Sequence, residues 1–459
     1  MPDPAPPQPA PAPVPDRLDP AARRALAATL LAVALATLDT TLVNTALPGI
    51  AAALNASPKS AIWVINAYQL AVVATLLPFA ALGDRFGPRP VYLGGLAFFT
   101  LASLGSMLAD GLISLAIARA LQGVGTSALM SVNIALIRLI YPPQRLGRGV
   151  GVNALVVGVA FAAGPTVASL VLSVGSWRWL FAMNLPLGLL AFAFALPGLP
   201  GQPRPGHRVD PLAALLTALT FGALIGALGA ATQRTPAVLA LGLAALALGA
   251  GALLLRRQAG QPAPMLPVDL LRRPMFALSV LTSVASFATQ GLAFVALPFF
   301  FEAVLQRDPV QTGFLLAPWA IVVAAAAPLA GRLSDRVPPG LLGGLGLALL
   351  SAGMASLALL TPEASVLDIV ARMALCGAGF GLFQSPNLNA LMSAAPPERS
   401  GGASGMVAVS RISGQALGAA LVALCFGLAG PRGPVWALAL GAGTAALAAV
   451  ASALRLRLG

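Results

Sequence analysis

Apolar residues along this chain come in runs of about 20, and the polar residues between the runs fall into short clusters rich in Gly, Pro and Arg. About 20 apolar residues are what a helix needs to cross the hydrocarbon of a bilayer. Such runs lie near residues 25–51, 61–82, 90–109, 112–137, 149–174 and 179–199, then near 211–231 and 236–255, then near 275–301, 312–333, 340–360, 366–394, 402–428 and 434–454. The pattern predicts an all-α polytopic membrane protein of fourteen transmembrane helices, six plus two plus six. The expected layout is a disordered Pro-rich cytoplasmic tail over 1–24 and a six-helix bundle over 25–200. An inserted helix pair over 201–258, a cytoplasmic connector over 259–274 and a second six-helix bundle over 275–459 complete it.

Composition agrees with a membrane solvent: 58% hydrophobic against 9% charged residues, with a mean hydropathy of +0.88, leaves too little polar surface for a soluble chain of this length. The run after Arg23 and Arg24 is long enough to span and lacks a small-residue cleavage site, so it reads as a retained helix and not as a signal peptide. The formal charge of +13 raises nucleic acid as a partner, but its distribution points to topology. With both termini inside, 19 of the 27 basic residues fall in the tail, the inner loops and the C-terminus, and the outer loops hold Lys59, Arg178, Arg234, Arg307 and Arg432. Positive residues collect on the cytoplasmic side, so both termini are expected there, with anionic lipid heads as partners and no nucleic acid. Cys376 and Cys425 sit in apolar runs without ligand spacing, which argues for packing and against a disulfide or a metal. The single histidine, His207, falls in a Pro- and Gly-rich loop and reads as solvated.

Two echoes suggest internal symmetry. The loop Gly83–Arg89 reads GDRFGPR, and 251 residues later Ser334–Pro338 reads SDRVP after the second span of the last six. Arg119 in IARALQGVG and Arg372 in VARMALCGAG each stand near the start of a fourth span. Two related six-helix halves with a helix pair between them account for both.

The ordered set of short strings resembles the major facilitator superfamily, in its fourteen-helix drug:proton antiporter branch. LDTTLVNTALP over 38–48 resembles the first-helix signature of that branch, GDRFGPR the loop between helices two and three, and ARALQGVG the fourth-helix arginine motif. GVAFAAGPTVASL is similar to the fifth-helix antiporter motif and WRWLFAMNLPLG to the start of helix six. The resemblance covers nearly everything from Leu26 to Leu454 and implies the major-facilitator fold. Ala80, Pro88, Pro90, Ala160, Ala168 and Ser169 depart from the family pattern, the last three replacing glycines with other small residues.

Asp39 is a carboxylate inside an apolar span, where a charge costs about 2.5–3.5 kcal/mol on insertion scales and so marks function more often than accident. It lies about ten residues from the outer end of its helix and Arg119 about seven from the same side, so a rise of 1.5 Å per residue brings them to similar depths. Asp39 is expected to bind the coupling proton and Arg119 to bias its release, against the plainer reading that both are static packing partners. Asn44 lies about 140° round the helix from Asp39 and is expected to bond a neighbouring helix. The resemblance implies a gating role for Asp84, Arg85 and Arg89, with Asp335 and Arg336 as a weaker copy. Asp84 would meet a helix N-terminus of the other half and the arginines would latch the outward-facing state. It also implies that Gly164 and Pro165, an expected kink, form the antiporter motif. Gln69, Gln122, Asn133, Gln290, Gln384, Asn387 and Arg411 are candidates for a central substrate cavity. Glu302 and Asp308 read as solvated groups at an outer mouth.

These readings converge on a proton-coupled antiporter that exports hydrophobic or amphipathic small molecules across the bacterial cytoplasmic membrane by alternating access. It is expected to be monomeric, to use the proton gradient and no cofactor, and to be no enzyme; no phosphate-cradling GxxxxGK[ST] is present. A dedicated metabolite or antibiotic exporter of the same fold is the alternative, and an integral-membrane enzyme a distant one.

Overall fold

Helices begin in this chain where a short polar side chain can accept from the free N–H groups of a first turn. Asp19 accepts from the Ala22 N–H at 2.6 Å, Asp308 from Gln311 at 2.8 Å, and Ser57 and Ser365 from Ser60 and Asp368 at 3.2 Å. Prolines at the first helical position, such as Pro20, Pro58 and Pro309, forgo an N–H that has no partner there anyway.

The computed structural model describes residues 19–142, 145–201, 210–232, 237–259, 268–334, 336–396 and 400–457. His207, Asp335, Arg17, Arg204, Arg208, Arg234 and Arg399 lie outside them. The described residues form α1 (Pro20–Ala53), α2 (Pro58–Phe86), α3 (Pro88–Met107), α4 (Leu112–Ile140), α5 (Leu146–Val174), α6 (Arg178–Gly198), α7 (Pro211–Thr232) and α8 (Ala237–Gln258). After a single turn at Val268–Leu271 come α9 (Pro274–Val304), α10 (Pro309–Leu333), α11 (Pro339–Ala358), α12 (Val366–Ser393), α13 (Ser400–Ala429) and α14 (Gly433–Leu454). Among the described residues twelve stretches are long and apolar enough to cross a membrane; the last of them, Gly405–Arg457, contains most of α13 and all of α14, and α7 has a shorter apolar part, Pro211–Leu224. The chain is an all-α polytopic membrane protein. One boundary moves: Pro20–Arg24, expected in the tail, belong to α1, because Asp19 and Pro20 start the helix ahead of the apolar run. The rest of the expected tail lies outside the described residues.

Two bundles result. In the first, α1 packs on α5 and α6, α2 on α4, and α3 on α4 and α6; in the second, α9 packs on α13 and α14, α11 on α12 and α14, and α10 on α12. The inserted α7 packs on α8, on α2 and on α13, so it touches both halves. The side on which α1 begins is called the terminal side below, and the opposite one the far side.

The halves meet on the far side. One apolar cluster joins Leu42, Leu47 and Ile65 of the first half to Leu292, Phe299 and Val422 of the second. Beside it α5 lies against α10: the Ser169 hydroxyl donates to the Pro309 carbonyl at 3.0 Å, and any side chain at Gly313 would overlap Ser169 and the Pro165 carbonyl. A side chain at Gly164 would overlap Thr41 of α1. Small residues thus allow a close backbone approach where side-chain volume would separate the halves. Toward the terminal side the contact narrows to a seam in which Tyr68, Val72, Val73, Leu76 and Leu77 of α2 pack with Val409, Ile412 and Ala416 of α13.

Candidate functional site

Asp39 stands near the middle of α1, in a helix with no other carboxylate among its 34 residues. Both Asp39 and Arg119 are 1% exposed, and Arg119 Nη1 donates to Asp39 Oδ2 at 2.5 Å. The depth argument from residue counting is therefore met by contact. The rest of the shell comes from three further helices. Gln122 Nε2 donates to Asp39 Oδ1 at 2.8 Å and to Ser103 Oγ of α3 at 2.9 Å, while Gln122 Oε1 accepts from Arg119 at 2.6 Å. Asn184 Nδ2 of α6 donates to Asp39 Oδ1 at 2.8 Å, and the Val64 carbonyl of α2 accepts from Arg119 Nε at 3.4 Å. The guanidinium lies over the Tyr68 ring at 4.2 Å and near the Phe181 ring at 5.7 Å, a cation–π arrangement that strengthens away from water.

Every recorded partner of Asp39 is a donor. Three of the roughly four lone-pair sites of the carboxylate are thus taken by N–H donors, two on Oδ1 and one on Oδ2. Buried charges of this kind persist because they are paired and hydrogen-bonded. Tyr68 connects the cluster to the seam: its hydroxyl donates to Thr126 Oγ1 at 3.0 Å and accepts from Thr40 at 3.5 Å, while its ring belongs to the α2–α13 packing.

Several cavity candidates are placed elsewhere. Gln122 has no exposed surface and is part of the ion-pair cluster, because its amide both donates and accepts there. Asn387 is also buried: its Oδ1 accepts from Arg455 Nη1 at 2.7 Å and its Nδ2 donates to the Ser279 carbonyl at 3.3 Å. Arg455, expected as an inner-side charge, is 2% exposed and folded back among Ser452, Ser279 and Asn387. Asn133 Nδ2 donates to Asn153 Oδ1 at 2.9 Å and ties α4 to α5. Gln69 is buried with its Oε1 unpartnered. Gln290 accepts from Gln415 Nε2 at 2.9 Å, a bridge from α9 to α13. Gln384 and Arg411 keep accessible surface.

Arg372 differs from its sequence echo. It pairs with Asp368 one turn back on its own helix at 2.8 and 2.9 Å and donates to the Ser356 carbonyl, with 27% and 39% of the two charged side chains exposed. Asn44 is buried with its Oδ1 unpartnered, so the expected bond to a neighbouring helix is absent at that atom. Asp308 is exposed while it caps α10, whereas Glu302 is half-buried in the π-helical end of α9 and is not simply solvated.

In the gating loop, Asp84 and Arg85 are exposed in the last turn of α2, and Arg85 stacks on Phe86 at 5.1 Å. Gly87, at φ 87°, turns the chain into α3. Arg89 Nη2 donates to the Leu196 carbonyl at the end of α6, at 2.8 Å. That contact lies within the first half, so Arg89 ties α3 to α6. Arg336 is exposed.

Asn184 and Ser103 were not singled out from sequence. Asn184 carried a usable signal: it lies about six residues into α6 from the far side, which at 1.5 Å per residue is the depth of Arg119.

The model of the Major Facilitator Superfamily matches residues 29–419. The chain is 49% identical to the uncharacterized transporter YebQ of Escherichia coli (strain K12) over 94% of this chain and 95% of that one. It is 30% identical to the multidrug resistance protein Stp of Mycobacterium tuberculosis over 86% of this chain and 74% of that protein. A bacterial homolog of the human lysosomal transporter Spinster, solved in an inward-facing and unoccupied conformation, superimposes with a TM-score of 0.70 at 16% identity, covering 96% of this chain and 98% of that one. A family match across most of the chain, joined to two six-helix bundles and a buried intramembrane ion pair, makes this protein a transporter of the major facilitator superfamily.

Proposed function

We propose that the protein is a proton-coupled antiporter that exports hydrophobic or amphipathic small molecules from the cytoplasm, within the fourteen-helix branch of the superfamily. The observation that carries this is the Asp39–Arg119 pair, at 2.5 Å and 1% exposure, with donors alone around the carboxylate. Proton binding at Asp39 and its contact with Arg119 compete for the same negative charge. A conformational change that withdraws Arg119 favours the proton, and its return expels the proton; two states that differ in this way exchange protons for substrate by population shift. The multidrug resistance label of Stp, at 30% identity, agrees with the substrate class.

In this reading the terminal side is the cytoplasm of a bacterial inner membrane, as the arginine distribution favours. The far-side packing of α1, α2 and α5 against α9, α10 and α13 then closes the outer face. The motif residues Gly164 and Pro165 contribute to that closure through Thr41 and Gly313, and the Asp84, Arg85 and Arg89 loop acts in the opposite state. The protein works as a monomer, takes its energy from the proton gradient and needs no cofactor. Each elementary charge moved across 100 mV supplies about 2.3 kcal/mol.

The test is flux in proteoliposomes under an imposed pH gradient, across a panel of lipophilic compounds, for wild type and Asp39→Asn. Gradient-driven exchange is expected in the wild type and absent from the variant. Unchanged exchange in the variant removes Asp39 from coupling, and a single accepted compound in the panel marks a dedicated exporter.

A further inference from the structure

The terminal ends of the second half enclose a cavity of about 880 Å³. Its wall takes Arg273 from the start of α9, Ser334 from the end of α10, Gly340 from the start of α11, Asn389 from near the end of α12, and Arg455 and Leu456 from the turn after α14. Among the described residues no part of α13 lines it, so the cavity stands apart from the α2–α13 seam.

Both arginines of this wall answer only to neutral groups. Arg455, 2% exposed, donates to the Ser279 hydroxyl at 3.1 Å, to Asn387 Oδ1 at 2.7 Å, and to the hydroxyl and carbonyl of Ser452. Gly343 of α11 leaves room for it, since a side chain there would press on Arg455 Nη2 at 3.1 Å. Arg273 is exposed and donates to the Ala394 carbonyl at 3.2 Å. Among the described residues no carboxylate pairs with either arginine.

The plainer reading makes Arg455 a clip that fastens the end of α14 to α9 and α12. A clip needs hydrogen bonds but no charge, and a neutral amide is far cheaper to bury. The uncompensated charge acts instead on the space beside it, because a low-dielectric wall focuses its field there. Four more exposed arginines stand at the same helix ends: Arg272 before α9, Arg332 in the last turn of α10, Arg336 in the turn to α11 and Arg457 after α14. The site is built for an anion.

Its rim says which kind of anion. Leu456, in the wall, and Leu341, next to Gly340, are each 44% exposed. A basic cavity at the ends of membrane helices, edged by exposed leucines, suits a ligand with a charged head and acyl tails. We infer that this cavity binds the phosphate-bearing head of an anionic phospholipid. Arg273 contacts the phosphate, Arg455 supplies charge from the wall, and Asn389, whose Nδ2 donates to Ser334 at 3.0 Å, has a second amide N–H to offer. The inference does not depend on what the protein exports.

The test counts bound lipid by native mass spectrometry. Protein in a non-ionic detergent is mixed with equal amounts of phosphatidylglycerol and phosphatidylcholine of the same acyl chains, with and without millimolar inorganic phosphate. The variants are Arg273→Gln, Arg455→Gln and, as a charge control, Arg138→Gln, which is exposed at the terminal end of α4 in the other half. Wild type is expected to hold phosphatidylglycerol about tenfold over phosphatidylcholine, and each cavity variant to lose about fivefold of that preference. Arg138→Gln is expected to keep it. Equal retention of the two lipids by wild type overturns the inference; if Asp335→Asn then gains a preference, the chain itself answers the arginines. A loss in Arg138→Gln as large as in Arg273→Gln overturns it too, because diffuse charge then suffices. So does a full preference kept by Arg273→Gln or by a folded Arg455→Gln. Displacement of the lipid by inorganic phosphate assigns the cavity to a free anion and overturns the lipid reading. If Arg455→Gln fails to fold, Arg273→Gln and Arg138→Gln decide.

Discussion

Arg119 and Arg372 stand near the starts of α4 and α12, at matching places in the two halves, yet they live in different surroundings. Arg119 is locked to a carboxylate on another helix at 1% exposure; Arg372 is clamped to Asp368 on its own helix, with 27% of its side chain open. The difference traces to one position. At the offset of 251 residues that separates Asp84 from Asp335, the partner of Asp39 is Gln290, a neutral amide that bonds Gln415. Without a buried anion on α9, the second-half arginine has nothing inside to turn toward, and the local carboxylate claims it. The repeat thus copies helix position and leaves the ionic chemistry to the first half.

Removing the anion from the first half is expected to have the largest effect. Asp39→Asn should lower pH-driven exchange by about a hundredfold or more while Asp368→Asn stays within about twofold, as measured by flux under matched gradients. Equal losses would erase the distinction between the halves. Stability should rank the pairs in the same way. Arg119→Leu leaves Asp39 buried without its cation and should cost about 3–5 kcal/mol, whereas the double variant Asp39→Leu/Arg119→Leu should recover much of that in thermal unfolding.

A smaller loss is expected at the far-side closure. Gly313→Ala forces a methyl against Ser169 and the Pro165 carbonyl, an overpacking cost of about 1–3 kcal/mol, read as a lower unfolding temperature and slower exchange. Next comes Arg372→Gln, which breaks a half-exposed pair of i,i+4 spacing worth about 0.3–0.5 kcal/mol.

The smallest effect concerns α7 and α8. The Arg257 guanidinium hydrogen-bonds Asp210 and holds its carboxyl below the usual range, with N–H groups of Leu212 and Ala213 assisting. Its contribution is present above the unfolded carboxylate value near 4 and fades as pH falls through the lower folded value. Asp210→Asn should therefore lower α7–α8 hydrogen-exchange protection slightly at neutral pH, leave it unchanged in acid, and so flatten the acid limb.

Spans and the Asp39–Arg119 meeting were legible because hydropathy and residue counting both report depth. Azimuth was not legible. Gln122 and Gln69 are amides at helix depth like Gln290, but only the fold tells which turns toward an ion pair, which stays buried and which bridges two helices. Arg455 looked like a tail charge because its sequence neighbours are terminal, and it is buried because Asn387 and Ser279 of other helices reach it. Asn184 lies inside WRWLFAMNLPLG, but a lone amide in a span carries no sign of what it faces.

The placement of α7 has a consequence for molecules dissolved in the bilayer. By lying on both α2 and α13, it walls off from the lipid the one seam that runs toward the terminal side. A lipophilic solute drifting in the leaflet meets a bulkhead on that flank.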